Sequence, residues 1–527
     1  MILFFLIFST LFVSVDADGT HSEYPIFPLR KIHSLDGIWN FAWLGQIVDV
    51  TTFNPSTVVT DKKTVVPSSF DLLPYPGKQN LIGQRGAVLY RTTIYSTPNT
   101  LARIRFGACG LFCSVYVDGI LVGQHGGNGY TAFWIGGIAP TLSKTRTIEV
   151  IADNRFNYTT SILHGYVNDW YQYGGLYRSV EWHELGPATV STVAVQNVDI
   201  IQRTPSAGLV DARIRLHDAT ETTKLQIQRH ESGQDALFFA PRYRGNGGDF
   251  LLSCSVLPIK INVSVYFDND ESSSLLFNNV EIDENGIGMI SGLVVPNATL
   301  WDISSPNLHT FHLTVMSSEN GPSNDYIIER FGLRSFSVCT QGNNQTAALC
   351  LNGNPVKLKG YGRHDTSPSL GHALGYMDRL KDYLLMLGLG SNFVRIGHYT
   401  QDRSFSTLAD TLGMLAWTEI IGWDSSPSTY KDQNWISASL VALEEHVNDT
   451  FNHPSTVMMA YINEGTSNDP TVCSTYATLN QKYKSLSINA LTGYASDKGV
   501  DDVCIKPSNA DYIGFNGKCS QRFFRST

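Results

Sequence analysis

The sequence predicts two all-β domains followed by a parallel α/β barrel that is incomplete at its carboxyl end. Three observations predict it. From about residue 30 to 335, short Val/Ile/Phe/Tyr runs alternate with turn residues at the spacing of β-sandwiches. After Cys339 the apolar period switches to alternating strands and helices, the pattern of parallel βαβ units. The segment 339–527 holds 189 residues, against about 250 for a complete (β/α)8 barrel.

The elements follow in order. Met1 to Val15 is almost wholly apolar, too short to span a bilayer, and Val15-Asp16-Ala17 is a small-residue cleavage pattern. Residues 1–17 are therefore expected to be a signal peptide, sending the chain into the secretory pathway, lysosomal or extracellular. The first β domain is expected over 18–185. Within it Ser114-Val115-Tyr116-Val117 and Ile120-Leu121-Val122 flank Asp118-Gly119, a hairpin turn between alternating strands. Gly186-Pro187 marks a boundary, and a second β domain is expected over 186–338.

The barrel is expected over 339–527. A strand at Val356–Tyr361 precedes a helix with Leu380, Tyr383, Leu384 and Leu387 on one face, stopped by Gly388 and Gly390. Phe393–Ile396 is the second strand, followed by a helix carrying Phe405, Leu408, Ala409 and Leu412 and ending at Gly413. Leu415–Thr418 is the third strand, Ile436, Leu440, Leu443 and Val447 mark the next helix, and Val457–Ile462 is the fourth strand. Leu491–Ala495 and Asp511–Asn516 make about six, which leaves two open sheet edges.

Composition excludes several function classes. Apolar residues at 42% supply several cores, so the chain is not disordered. A net charge of −9 gives no basic footprint for nucleic acid and disfavours anionic membranes. No later stretch reaches 18 apolar residues, so no membrane span is expected. Asn157, Asn262, Asn297, Asn344 and Asn448 lie in glycosylation sequons, consistent with the secretory route. Eight cysteines are too few for a disulfide scaffold, and Cys109 and Cys113 read as small buried apolar residues. No Cys or His pair has metal spacing, so neither metal nor cofactor is expected.

The carboxyl ends of the first four barrel strands carry His364, His398, Glu419 and Asn463-Glu464. In a barrel these ends converge on the face that bears the active site. Glutamates beside Trp417, Trp423, Tyr461 and Tyr399 suit a sugar site, where aromatic faces stack on pyranose rings and a carboxyl pair performs glycoside hydrolysis. Glu464 is the candidate acid, since it follows an apolar strand directly and partial burial favours its protonated form.

Val66-Pro67-Ser68-Ser69-Phe70, Val117-Asp118-Gly119 with Gly126-Gly127, and the block Asp169 to Val180 resemble the N-terminal domain of β-glucuronidases. Gly362-Arg363-His364, Gly397-His398-Tyr399 and Asn463-Glu464 resemble the barrel motifs of glycoside hydrolase family 2, which contains them. The resemblance implies a jelly-roll-like sugar-binding domain, an immunoglobulin-like sandwich and a TIM barrel. It implies Glu464 as general acid/base, Asn463 on the sugar's 2-hydroxyl, Asp169 reaching into the pocket and His398 lining it. Glu419 and His364 are expected behind these groups, orienting them. Substrates would be β-D-glucuronides or glycosaminoglycan ends, and the complete protein a homo-oligomer. The chain departs from the pattern at His364-Asp365-Thr366, where His-Glu-Asp is usual, and at Thr400, where Pro is usual.

The larger departure comes later. The family's nucleophile is a glutamate on a later strand, and this chain has no glutamate after Glu464. The family's Asn-x-Lys signature for the glucuronate carboxylate is absent too, and Asp469, Asp497, Asp501, Asp502 and Asp511 lie in polar stretches or at a strand start. Three readings follow: an incomplete β-glucuronidase, a glycan-binding pseudoenzyme, or a related galactosidase- or mannosidase-type enzyme using Glu419 or a water. The first is expected.

Overall fold

A computed structural model of the chain describes residues 24–46, 49, 53–72, 81–156, 162, 170–185, 190–199, 207–216, 259–282, 287–316, 323–341, 346–420, 422–486 and 489–516. The expected signal peptide, Gly186-Pro187, Asp169, Asn157, Asn344, Cys254 and Cys519 lie outside the described residues.

The first unit pairs two antiparallel sheets. A six-stranded sheet runs in the order Lys62–Val66, Gly37–Gly45, Ala87–Tyr95, Thr145–Asp153, Phe112–Val117, Ile120–His125. A four-stranded sheet holds Lys31–Ser34, Val180–Leu185, Leu101–Phe106 and Phe133–Ile138. Alternate residues from both, among them Tyr90, Val115, Ile148, Val150, Ile104, Phe106 and Trp182, interdigitate in one buried core. The Asp118-Gly119 turn has the form expected, with φ of 52° and 78° joining Phe112–Val117 to Ile120–His125.

The cysteine expectation is corrected. Cys109 and Cys113 form a disulfide, as do Cys339 with Cys350 and Cys473 with Cys504. Cys109 is not in a strand: the chain turns at Gly110 before the strand Phe112–Val117 begins, which brings the two Cα atoms to 6.3 Å.

The second unit is likewise two antiparallel sheets. Three strands (Val190–Asp199, Ala207–Leu216, Ile287–Pro296) and four (Leu275–Ile282, Ile259–Phe267, His309–Met316, Ser323–Phe331) meet over a core that includes Val263, Val265, Leu293, Phe311 and Ile327. Arg334, just beyond it, anchors this unit to the next by donating to the carbonyls of Pro454 at 2.9 Å and Thr456 at 2.7 Å.

The third unit is the parallel sheet. Its strands are β1 (Gly360–Arg363), β2 (Phe393–Ile396), β3 (Leu415–Glu419), β4 (Thr456–Asn463), β5 (Leu491–Ser496) and β6 (Tyr512–Phe515), paired in sequence order. The connecting helices are α1 (Tyr376–Gly388), α2 (Arg403–Leu412), α3 (Pro427–Lys431), α4 (Gln433–Thr450), α5 (Cys473–Leu486) and α6 (Ile505–Ser508). Their limits have local causes. Asp402 caps α2 by accepting from the Ser404 amide at 3.1 Å, and Asp432 caps α4 through Asn434 at 2.8 Å. Gly413 ends α2 in the left-handed conformation at φ 71°, which its lack of a Cβ permits. The expected strand at 356–361 starts later, because pairing with β2 begins only at Gly360.

Period-two alternation divides the faces. Phe393, Leu415 and Trp417 pack inside with Met458, Ala460, Ala495 and Tyr512, while Val394, Ile396 and Ala416 pack outward on α1 and α2. Among the described residues β1 and β6 do not pair, so the sheet is open, as six strands imply. A cavity of about 720 Å³ lies at that opening, lined by Tyr361, Leu358, Phe393 and Tyr512, with Arg395 among its walls.

Candidate active site

The carboxyl ends of β2, β3, β4 and β6 meet at one arginine. Arg395 shares the inner face of β2 with Phe393, and its guanidinium lies 4.5 Å over the Trp417 ring. That ring has room because Gly514 on β6 carries no side chain: a Cβ there would sit 2.2 Å from it. Arg395 donates from Nε to Glu419 Oε1 at 2.6 Å, from Nη2 to Asn463 Oδ1 at 2.6 Å and from Nη1 to Asn516 Oδ1 at 2.7 Å.

Glu419 closes β3 and is 1% exposed. Its second oxygen accepts from His398 Nδ1 at 2.8 Å. Burial pushes its carboxyl up, but Arg395 and then His398 outweigh burial and hold it below its ordinary range. A carboxylate only accepts, so Nδ1 of His398 carries the proton and Nε2 is left for a ligand. Both oxygens of Glu419 are thus engaged.

Asn463 ends β4 and is buried. Its Oδ1 takes two donors, Arg395 and the Asn516 Nδ2 at 2.9 Å, while its own buried Nδ2 has no partner among the described residues. Glu464 follows, half-buried, and accepts from Asn516 Nδ2 at 2.5 Å. A register shift between Ala460 and Asn463 against β5 places its amide on the Ala495 carbonyl at 2.9 Å and its φ at +53°. That left-handed geometry costs a residue with a side chain about 1–2 kcal/mol. Irregularities of this kind re-aim side chains next to active sites.

The first sandwich supplies the opposite wall. Trp170 packs against His364 at 5.6 Å, His398 at 5.9 Å and Trp423 at 5.9 Å between ring centroids. Its Nε1 donates to the Tyr130 hydroxyl at 3.2 Å. Asp169, adjacent in sequence, lies outside the described residues. His364 is half-buried and meets His398 edge-on at 5.4 Å.

The aromatic expectation is corrected in part. Trp417, Tyr461 and Tyr399 are fully buried. Trp417 lies beneath Arg395, Tyr461 points to the helix-side core, and Tyr399 stacks on Tyr130 at 4.3 Å. Alternation along β3 and β4 sends Trp417 and Tyr461 into cores, while Trp423 and Tyr399 face Trp170 at 5.9 Å and 5.4 Å.

Sequence reasoning missed Arg395 and Asn516. A lone charge inside the apolar run Phe393–Ile396 was the available signal, because a buried strand tolerates a charge only with partners. It also missed a buried ion cluster joining sandwich to barrel. Asp365 accepts from Arg363 at 2.9 Å and Arg379 at 3.0 Å, with Arg178 of the sandwich 3.9 Å away and Asp402 3.8 Å from Arg178.

Four of the five aspartates past Glu464 have other tasks. Asp469 caps the turn at Pro470–Val472, Asp502 accepts from Tyr494 at 3.0 Å, Asp511 from Thr492 at 3.0 Å, and exposed Asp497 pairs with Lys498 at 2.8 Å. Among the described residues no group of three or more His, Cys, Asp or Glu could hold a metal, and no helix is long and apolar enough to cross a membrane.

Residues 344–515 match the family described as glycosyl hydrolases family 2, TIM barrel domain. The chain is 26% identical over 490 residues to a β-glucuronidase of Streptococcus agalactiae, covering 88% of this chain and 72% of the relative. It is 24% identical over 370 residues to a β-galactosidase of Thermoanaerobacterium thermosulfurigenes, covering 69% of this chain but only 45% of that one. The fold is similar to a family 2 β-galacturonidase of Eisenbergiella tayi solved with galacturonate, at a TM-score of 0.71 and 23% identity, over 93% of this chain and 75% of that one.

Proposed function

From the premise that its barrel makes this chain a glycosidase of glycosyl hydrolase family 2, we propose that it is β-glucuronidase-like, built for terminal β-D-glucuronides or glycosaminoglycan ends. One observation carries the reading: Glu464 stands half-buried at the end of β4, on a barrel face walled by the sandwich's Trp170 and backed by the Arg395 network. A second, coarser support is the β-glucuronidase relative that matches 88% of the chain.

Glu464 is then the proton donor to the departing glycosidic oxygen, and Asn463 and His398 offer Nδ2 and Nε2 to sugar hydroxyls. Asp169, outside the described residues, keeps the substrate-binding role that the family resemblance implies. Retaining hydrolysis needs a second carboxyl about 5–5.5 Å from the first. Glu419 is unsuited, because both its oxygens are held by Arg395 and His398. We therefore place the nucleophile outside the residues of this chain, so that the polypeptide binds the glycoside without turning it over. The apolar leader, the sequons and three disulfides support a secreted or lysosomal glycoprotein. Assembly as a homo-oligomer belongs to the same reading.

The test pairs binding with turnover. A glucuronate-configured iminosugar should bind the purified chain, more weakly after Asn463→Ala, while an activated aryl glucuronide is hydrolysed at background rate. Turnover abolished by Glu464→Gln but not by Glu419→Gln would overturn the missing nucleophile. Binding of galactose-configured ligands in preference to glucuronate would overturn the specificity.

A further inference from the structure

Asn516, the residue immediately after β6, sits at the centre of the site without any assigned part in it. Its backbone amide is fixed to the Ser496 carbonyl at 2.9 Å, so its Cα is anchored on β5. Its side chain is fully used. Oδ1 accepts from Arg395 Nη1 at 2.7 Å, and Nδ2 donates to Asn463 Oδ1 at 2.9 Å and to Glu464 Oε1 at 2.5 Å. A guanidinium can only donate and an ionised carboxylate can only accept, so the amide has one orientation. Flipping it would set NH2 against the guanidinium and oxygen against the carboxylate.

Two consequences follow. Oε1 of Glu464 is tied to Asn516, leaving Oε2 as the oxygen for a proton in transit. Asn463 Oδ1 is saturated by Asn516 and Arg395, so its buried Nδ2, without a partner among the described residues, is the group left to meet a ligand, as a donor. We propose that Asn516 is the positioning residue of this centre: one amide, locked by Arg395, selects the proton-carrying oxygen of Glu464 and turns Asn463 donor-first toward the substrate. The proposal rests on the reading of Glu464 as the acid, and it deepens that reading by assigning the group that orients the acid.

The test follows the Glu464 carboxyl itself and needs no turnover. The full chain is labelled with carboxyl-13C glutamate, and the Glu464 resonance is identified by its loss in Glu464→Gln. The hydrogen bond favours the ionised form. Asn516→Leu should therefore raise the Glu464 midpoint by about one pH unit, a tenfold fall in acid strength or about 1.4 kcal/mol, and Asn516→Asp should raise it further. Unchanged midpoints in folded variants would overturn the proposal. A second measurement uses the unmutated chain: the side-chain 1H–15N signals of Asn516 should shift with the Glu464 midpoint, and a flat profile would also overturn it. Failure of both leaves the glycosidase reading intact. Coupled titrations in a chain that binds no glycoside would instead strike Glu464 as the acid, and the positioning role with it.

Discussion

Arg178, from the β-sandwich at the start of the chain, donates to the carbonyl of Thr400 at 3.0 Å, two residues beyond His398 on the barrel. The same guanidinium donates to the Tyr130 carbonyl at 2.6 Å and stands 3.9 Å from Asp365. The loop that presents His398 is thus held by a residue more than two hundred positions earlier. The sandwich is part of the site's frame as well as its wall.

Removing the carboxylate of this cluster should be costly. Burial alone would raise the Asp365 carboxyl, but Arg379 and Arg363 outweigh it and hold it far below its ordinary value. Asp365→Asn leaves buried guanidinium groups undercompensated, a loss of about 3–5 kcal/mol. The folded pKa is depressed, so the contribution is present above about pH 4 and disappears as pH falls through the folded value. Denaturant unfolding at pH 7 and pH 3 should show a large gap between wild type and variant at the first and a smaller one at the second. Equal gaps would refute the account.

Asp71 should act in the opposite sense. It is buried under the loop that carries Trp170, accepting from the Gly174 amide at 3.2 Å and from Asn154 at 3.1 Å. Burial pushes its carboxyl up to about 7, against the lowering by these donors and Arg85. A raised folded pKa means that the stabilisation is full below the ordinary value of 3.8 and lost as pH rises through about 7. Between pH 5 and 7 wild type should lose up to about 1.4 kcal/mol per unit more than Asp71→Asn. Parallel pH profiles for the two proteins would contradict it.

Glu464 offers a stability test of functional strain. Glu464→Ala and Glu464→Gly both delete the carboxylate, but only glycine relieves the left-handed φ of +53°. The glycine variant should be the more stable of the two by about 1 kcal/mol. A more stable alanine variant would show that this backbone geometry is not held against its preference.

The disulfide between Cys473 and Cys504 closes 31 residues, from the start of α5 to the start of α6. Replacing both cysteines by alanine should lower stability by about 3–4 kcal/mol through the unfolded chain's regained freedom. Calorimetry should show the lower Tm, and reductant should reproduce it in the unmodified protein. An unchanged Tm in both would contradict the crosslink's structural weight.

Much of the frame was legible in the sequence. β2 has the bounds that its apolar run predicts, and β3 and β4 extend theirs by only one or two residues. Gly413 stops α2 where its freedom at positive φ requires. The strand ends at His364, His398, Glu419 and Glu464 do face one site. The partner of each group was not legible. Arg395 looked like a charge in an apolar strand, and Asn516 like the tail of another. Trp417 and Tyr461 read as sugar platforms until alternation placed them in cores. Cys109 and Cys113 looked like residues of one strand until the turn at Gly110 brought them together.

The sequence by itself determined the order of the layers, the period of each element and the residue types that arrive at the strand ends. These are local properties, fixed by side-chain periodicity of two or 3.6 residues and by turn chemistry within a few positions. The tertiary structure alone decided which atoms those residues share. Arg395 reaches Asn516 across 121 positions and Asn463 across 68. Hydrogen-bond direction depends on angstrom-scale proximity between distant strands, and no local pattern encodes that.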